Sequence, residues 1–257
     1  MKLKNTNFII LILSFIAFNA GCTKNKDLKD QHIFISRWTS GDIEYDYHYD
    51  HDYRLTSIQR KYISTGGIDL EIQYSDYDEN NIPRRADYIK HLGPGGPVYY
   101  LYELDNSSRV KEYRAYDNLN RLQFTVQFYY LLNRIESIET LSPSGIKIKI
   151  IYTVNGKGNV VKLDRITNDT VMVQSNSYLT HDDQHNWQSL LPPTALFNEI
   201  HSVNNATKTQ FNSIASGVTI NRTINMEYNS DGYPVKAIAA EEGDSAVSEM
   251  LYEYIRR

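Results

Sequence analysis

A chain of 257 residues with 27 basic and 31 acidic side chains, net −4, has no basic footprint of the kind a phosphate backbone requires, which argues against nucleic acid as a partner. One cysteine excludes an internal disulfide framework. Twenty-one tyrosines, in a chain long enough to bury one sizeable core, lean the composition toward pleated, half-buried strands.

The N-terminus comes first. Residues 1–21 carry Lys2 and Lys4, then an apolar run from Phe8 to Phe18. That run is shorter than the roughly 20 residues of helix that cross a bilayer. With its basic start and small residues at the end, it reads as a removable signal peptide. Ala20-Gly21-Cys22 resembles a bacterial lipobox, although Asn19 stands where the usual pattern has an aliphatic residue. The resemblance implies cleavage before Cys22 and lipidation of its thiol. The mature chain then has 25 basic against 31 acidic residues, net −6. Residues 22–31 are polar and without period, a flexible tether. Thr23, where an aspartate would favour inner-membrane retention, leans the location toward the outer membrane.

Residues 32–257 read as a single β domain. Alternation runs through Ile43–Tyr49, Ile68–Tyr74, Ile146–Tyr152 and Val218–Tyr228, the period of strands with one wet face. Turn anchors interrupt it at Asp50, Asp78, Asp105, Asn133, Asn155, Asp182 and Asn229, and Asp117 marks the opposite end of the sheet. At each anchor the side chain accepts from amides two residues on, and Gly or Asn near +3 or +4 supplies positive φ. An apolar residue at +5 (Leu55, Val110, Leu122, Ile138, Val160, Trp187) resumes the buried face. Arg54, Arg109 and Arg121, at +4, pair across their turns with Asp50, Asp105 and Asp117, for at most about 1 kcal/mol each. The first six anchors at one end recur every 22–28 residues, two strands and two turns per period. The 47-residue gap from 182 to 229 has room for two modules, one degenerate. Pro193–His201 reads as a short helix and Ser202–Lys208 as a polar loop. The spacing predicts an antiparallel meander of hairpin repeats, strongly curled or barrel-like, with on the order of 14–18 strands and sequential neighbours paired.

The Tyr-x-Tyr-Asp-x-x-x-Arg-Leu module at Tyr47–Leu55, echoed at Tyr116–Leu122 and Tyr228–Val235, resembles the YD repeats of Rhs-type proteins. With the lipobox, the Ser202/Asn204/Asn205/Lys208 segment and the Gly232/Pro234 turn, the chain resembles Bacteroidetes lipoproteins of the DUF4595 kind. The resemblance implies a curled antiparallel meander and no particular activity.

Two clusters have ligand chemistry. His48, Asp50, His51 and Asp52 crowd one turn, and His181, Asp182, Asp183 and His185 crowd another. Imidazole and carboxylate bind divalent ions, but neither cluster has metal-site spacing, and both read first as solvated turns. Gly93–Pro97 lacks the Lys-Ser/Thr and following helix of a phosphate loop. The tyrosines, with Trp38 and Trp187, read either as cross-strand packing or as a stacking platform for sugars. No catalytic residue, metal site or cofactor is expected. The function read from the residues is that of an outer-membrane lipoprotein on the periplasmic face or cell surface. It is a non-enzymatic binding or structural β module whose partners are its lipid anchor and a glycan or a neighbouring envelope protein. The alternative is a polysaccharide hydrolase using paired carboxylates, and the placement of the tyrosines separates the two.

Overall fold

The computed structural model describes residues 32–90, 96–168, 170–195 and 200–257. The signal, Cys22 and the tether lie outside the described residues, as does most of Gly93–Pro97. The chain divides into a compact unit, Phe34–Ile255, and a second unit of the residues up to Ile33 with Arg256–Arg257. Within the second, His32 and Arg257 exchange backbone hydrogen bonds of 3.0 and 3.2 Å.

Sixteen strands follow in order: β1 (Ile33–Ser40), β2 (Ile43–Tyr49), β3 (Leu55–Tyr62), β4 (Ile68–Tyr77), β5 (Pro83–Lys90), β6 (Tyr99–Leu104), β7 (Val110–Tyr116) and β8 (Leu122–Leu131). Then come β9 (Arg134–Leu141), β10 (Lys147–Val154), β11 (Val160–Thr167), β12 (Val171–His185), β13 (Asn204–Ser213), β14 (Val218–Tyr228), β15 (Pro234–Glu241) and β16 (Val247–Arg256). Each strand neighbours its sequence neighbours, and β1 lies beside β16, so the sheet is a closed antiparallel barrel without a free edge. Two 3-10 segments, Trp187–Leu190 and Pro193–Ala195, lie in the connection from β12 to β13.

Alternation decides which side chains enter the barrel. In β2, Tyr45, Tyr47 and Tyr49 pack into the core, while Glu44 and Asp46 pair with Lys61 on the outside. One interior layer runs across β4 to β8 as Tyr74, Ala86, Tyr100, Ala115 and Phe124, each opposite the next. Rings alternate with alanines that are fully buried at 0% exposure, so large side chains meet over small ones. Met226, Ala237 and Met250 repeat the device across β14 to β16.

The anchored turns share one geometry. The Asp50 carboxylate accepts from the amides of Asp52 and Arg54 at 2.9 and 3.0 Å. Asp78 does the same with Asn80 and Ile82, Asp105 with Ser107 and Arg109, and Asp117 with Leu119 and Arg121. The amide oxygens of Asn155 and Asn229 repeat it with Lys157 and Asn159, and with Asp231 and Tyr233. The residue at +3 is left-handed in all six: Tyr53, Asn81, Ser108, Asn120, Gly158 and Gly232. Tyr53 and Ser108 are neither glycine nor asparagine, so the anchor's two hydrogen bonds hold a conformation that the residue itself disfavours.

Four local expectations are corrected. The segment from Asn204 is strand β13, because backbone and side chains of Asn204 and Asn205 find partners on β12 and on Asn159, just before β11. The gap from 182 to 229 holds a single period, its extra length being the β12–β13 connection. Of the helix expected over Pro193–His201, Pro193–Ala195 is a 3-10 turn, and 196–199 lie outside the described residues. At +5, Leu55, Val110 and Val160 are buried but Leu122 is exposed. At Asn133 a two-residue connection makes Ile135 the residue that packs against the core, in place of Ile138.

Candidate functional site

The clusters singled out by composition take different places. Oxygens and nitrogens of Asp50, His51 and Asp52 lie within 4.8 Å of one another. Arg54, however, donates to Asp50 at 2.8 Å and approaches Asp52 at 3.5 Å, so a cation already occupies the charge. The second cluster is strand and not turn, with Asp183 and His185 exposed and His181 and Asp182 half-buried. It closes the long, irregular strand β12, where register shifts fold Asp182 inward. Asp182 accepts from the amides of Gln184 and Asn205, both at 3.1 Å, and from the Tyr228 hydroxyl. Burial lowers the His181 pKa, and its Nε2 lies 3.4 Å from Ser202 Oγ.

Three sets of aromatic side chains bear on the site, while Tyr53, Tyr62 and Tyr129 are exposed. Tyr47, Tyr74, Tyr102, Tyr113, Tyr152 and Tyr252 are buried core residues. Others tie adjacent hairpins together. Tyr77 donates to Leu55 O at 2.8 Å and lies under the Arg54 guanidinium, 4.8 Å from ring centre. Tyr130 donates to Val110 O at 2.9 Å and lies under Arg109 at 4.0 Å. Tyr254 donates to Pro234 O at 2.6 Å. Tyr77 and Tyr130, each close before an anchor, thus cap the strand start of the preceding same-end turn. Part of the recurrence of tyrosine before Asp or Asn in the sequence is the one-dimensional trace of this contact, and part, as at Tyr102 and Tyr152, of core burial. Burial would raise the Asp105 carboxyl, but bonds from Arg109 and Ser107 outweigh it and hold the group below its ordinary range. Asp50 is held down in the same way.

A third set lines open space and shares Tyr152 and Tyr252 with the core. Trp187, carried on the 3-10 segment after β12, stacks on Trp38 at 6.3 Å and meets Tyr252 at 5.7 Å. Asn186 caps that segment by accepting from Gln188 N at 3.0 Å. Above this floor is a cavity of about 450 Å³ whose lining includes Tyr152, Tyr178, Trp187, Tyr252, Asn176 and Gln188. A second space of about 450 Å³ reaches Phe211, Ile220 and Arg222 and shares Asn176, Tyr178, Thr209 and Ile224 with the first. No Asp or Glu is among the described residues lining either space. Arg222 faces inward, opposite Glu241 and paired with it. Glu139 also faces inward, with its pKa raised by burial and partly restored by Arg165. Sequence reasoning read Trp187 as the resumption of a buried strand face and, with Trp38 and the tyrosines, as cross-strand packing or a stacking platform; its place on the cavity floor depends on the β12–β13 connection folding back into the barrel.

The outward positions are charged around much of the ring. Arg37 pairs with Asp46 at 2.8 Å, Arg85 with Asp87 at 2.6 Å, Lys111 with Glu103 at 2.6 Å and Arg114 with Glu112 at 2.6 Å. Lys149 with Glu136, Lys162 with Asp164, and Lys236 with Glu249 continue the series at 2.8, 2.8 and 2.6 Å.

No family model matches the chain, and no curated protein does. Among solved structures it is similar to a porin-like protein from Bacteroides vulgatus, at 12% identity and a TM-score of 0.53, covering 86% of this chain and 98% of that one. A porin-like protein from Bacteroides uniformis is similar at 15% identity and a TM-score of 0.55, covering 87% and 95%. At these identities the likeness is one of fold.

Proposed function

We propose that this chain is a lipid-anchored, non-enzymatic barrel of the bacterial envelope, held at Cys22 on the outer membrane with its barrel in the aqueous compartment. The observation that carries this reading is the direction of the charges. A barrel that crosses a bilayer turns outward an apolar band about 25 Å tall, and Lys or Arg at its midplane costs about 2–4 kcal/mol. Here the main apolar cluster faces inward, and the ion pairs from Arg37–Asp46 to Lys236–Glu249 face outward, where they interrupt exposed apolar residues such as Leu101, Tyr129 and Leu251. The porin-like neighbours thus lend the fold but not a membrane-spanning role, and the Trp187 segment fills part of the lumen that a pore would leave open.

Against hydrolysis stands the distribution of carboxylates. Glycoside cleavage needs two carboxyl groups across a cleft, about 5–10 Å apart. The two cavity linings have none, inward Glu241 is paired with Arg222, inward Glu139 lies outside both linings, Asp182 is committed to Asn205 and Tyr228, and the anchors are committed to their turns. The lipobox and the YD-like turns support a place among DUF4595-type envelope lipoproteins. Fractionation tests the anchor. The wild-type chain should sediment with membranes and the Cys22→Ser chain should be released. A Cys22→Ser chain that stays in the pellet after an alkaline carbonate wash would show that the barrel itself is inserted.

A further inference from the structure

We propose that the lumen between the Trp187 floor and the Arg222 rim binds a neutral saccharide of one or two rings; this rests on the reading of the barrel as a non-enzymatic binding module. The two spaces share Asn176, Tyr178, Thr209 and Ile224 and therefore form one continuous path. Each is about 450 Å³, within the roughly 300–1,000 Å³ of small-molecule sites.

The lining chemistry selects among three ligand classes. A purely apolar ligand would strand the amides of Gln174 and Asn176 against hydrocarbon, at a cost of about 1–3 kcal/mol for each unsatisfied group. It would also leave His201 Nε2, a buried atom with no partner among the described residues, still unpaired. A charged ligand would need a counter-charge, and the wall provides none. The single Arg on it, Arg222, is neutralised by Glu241, and burial keeps the His201 ring uncharged at neutral pH. A sugar meets both demands: its hydroxyls serve the amides, and its C–H faces lie on the rings of Tyr178 and Trp187. The polar side is pre-set, because Gln174 donates to Asn176 at 3.1 Å.

Both tryptophans of the chain, Trp38 and Trp187, stack at this floor, so fluorescence excited selectively at tryptophan, apart from the 21 tyrosines, reports on this site. The full Cys22→Ser chain is titrated with maltose, cellobiose and N,N′-diacetylchitobiose, and separately with digalacturonate and dodecanoate. At least one neutral disaccharide should give a saturable change with Kd below about 1 mM, while the other two probes neither bind nor compete. Asn176→Leu keeps the branched shape and removes the amide, and should weaken the sugar at least about tenfold. If that variant does not fold, Thr209→Val, which removes one hydroxyl, should weaken it severalfold. Saturation by none of the three disaccharides, tighter binding of dodecanoate or digalacturonate, or undiminished affinity in the folded variants overturns the proposal. Failure of the non-enzymatic reading shows instead as cleavage of a bound disaccharide on incubation, so the two failures are distinguishable.

Discussion

Tyr130 links two hairpins through two separable contacts, and both have a calculable worth. Its hydroxyl donates to Val110 O at 2.9 Å, and its ring lies 4.0 Å below the Arg109 guanidinium, which also pairs with Asp105 at 2.6 Å. Tyr130→Phe removes the hydroxyl alone and should cost about 1 kcal/mol. Tyr130→Leu removes the ring–cation contact as well, adding about 0.5–1 kcal/mol beyond lost packing. Arg109→Ala loses the same contact together with an exposed ion pair worth about 0–1 kcal/mol. A double-mutant cycle of Tyr130→Leu with Arg109→Ala should therefore show a coupling of about 0.5–1 kcal/mol, because each single change already removes the shared contact. Urea unfolding of the Cys22→Ser chain measures it through the midpoint at constant m. A neutral Tyr130→Phe, or strict additivity in the cycle, would refute the view that these tyrosines bind one turn module to the next.

Ser108 and Gly158 hold the same left-handed position in two turns, with φ of 58° and 83°. Ser108→Gly should stabilise by about 0.5–1 kcal/mol, while Gly158→Ala should destabilise by more than that, since a Cβ there would lie 2.8 Å from Val203 Cγ2. Thermal melts of both variants check the signs. Ile72→Ala, at a core position 1% exposed, should cost about 2–5 kcal/mol in the same unfolding assay. Glu139 has a raised pKa, first through burial, so its ionisation costs stability as pH rises through that value. Glu139→Gln should accordingly stabilise at pH 7 by a few tenths of a kcal/mol after solvent screening, and the gain should vanish near pH 4; a gain independent of pH would exclude this cause. The lowered carboxyls of Asp50 and Asp105 act with opposite sign. Their contribution is present above about pH 4, the unfolded aspartate value, and is lost as pH falls through their folded pKa values. Replacing both by Asn should flatten the acid limb of the stability curve.

The sequence by itself determined the strand class, the antiparallel meander and the position of most turns. These are local matters: an Asp or Asn side chain bonding amides two and four residues on, and apolar residues at a period of two, express themselves within ten residues. Trp187 and Asp182 show the limit. Both sit near an anchor-like motif, yet one lies on the floor of the lumen and the other inside a polar network with Asn205 and Tyr228. Their places depend on the β12–β13 connection folding back into the barrel, a choice made by contacts between residues 20 to 46 positions apart. Tertiary structure also decided closure and sidedness. Whether a curled meander joins β1 to β16, and whether it does so with rings inside and ion pairs outside, depends on strand stagger around the whole ring, which no local window carries. The same alternation of tyrosine and charge would read identically in an open sheet, and only the closed ring gives it an inside that can hold a ligand.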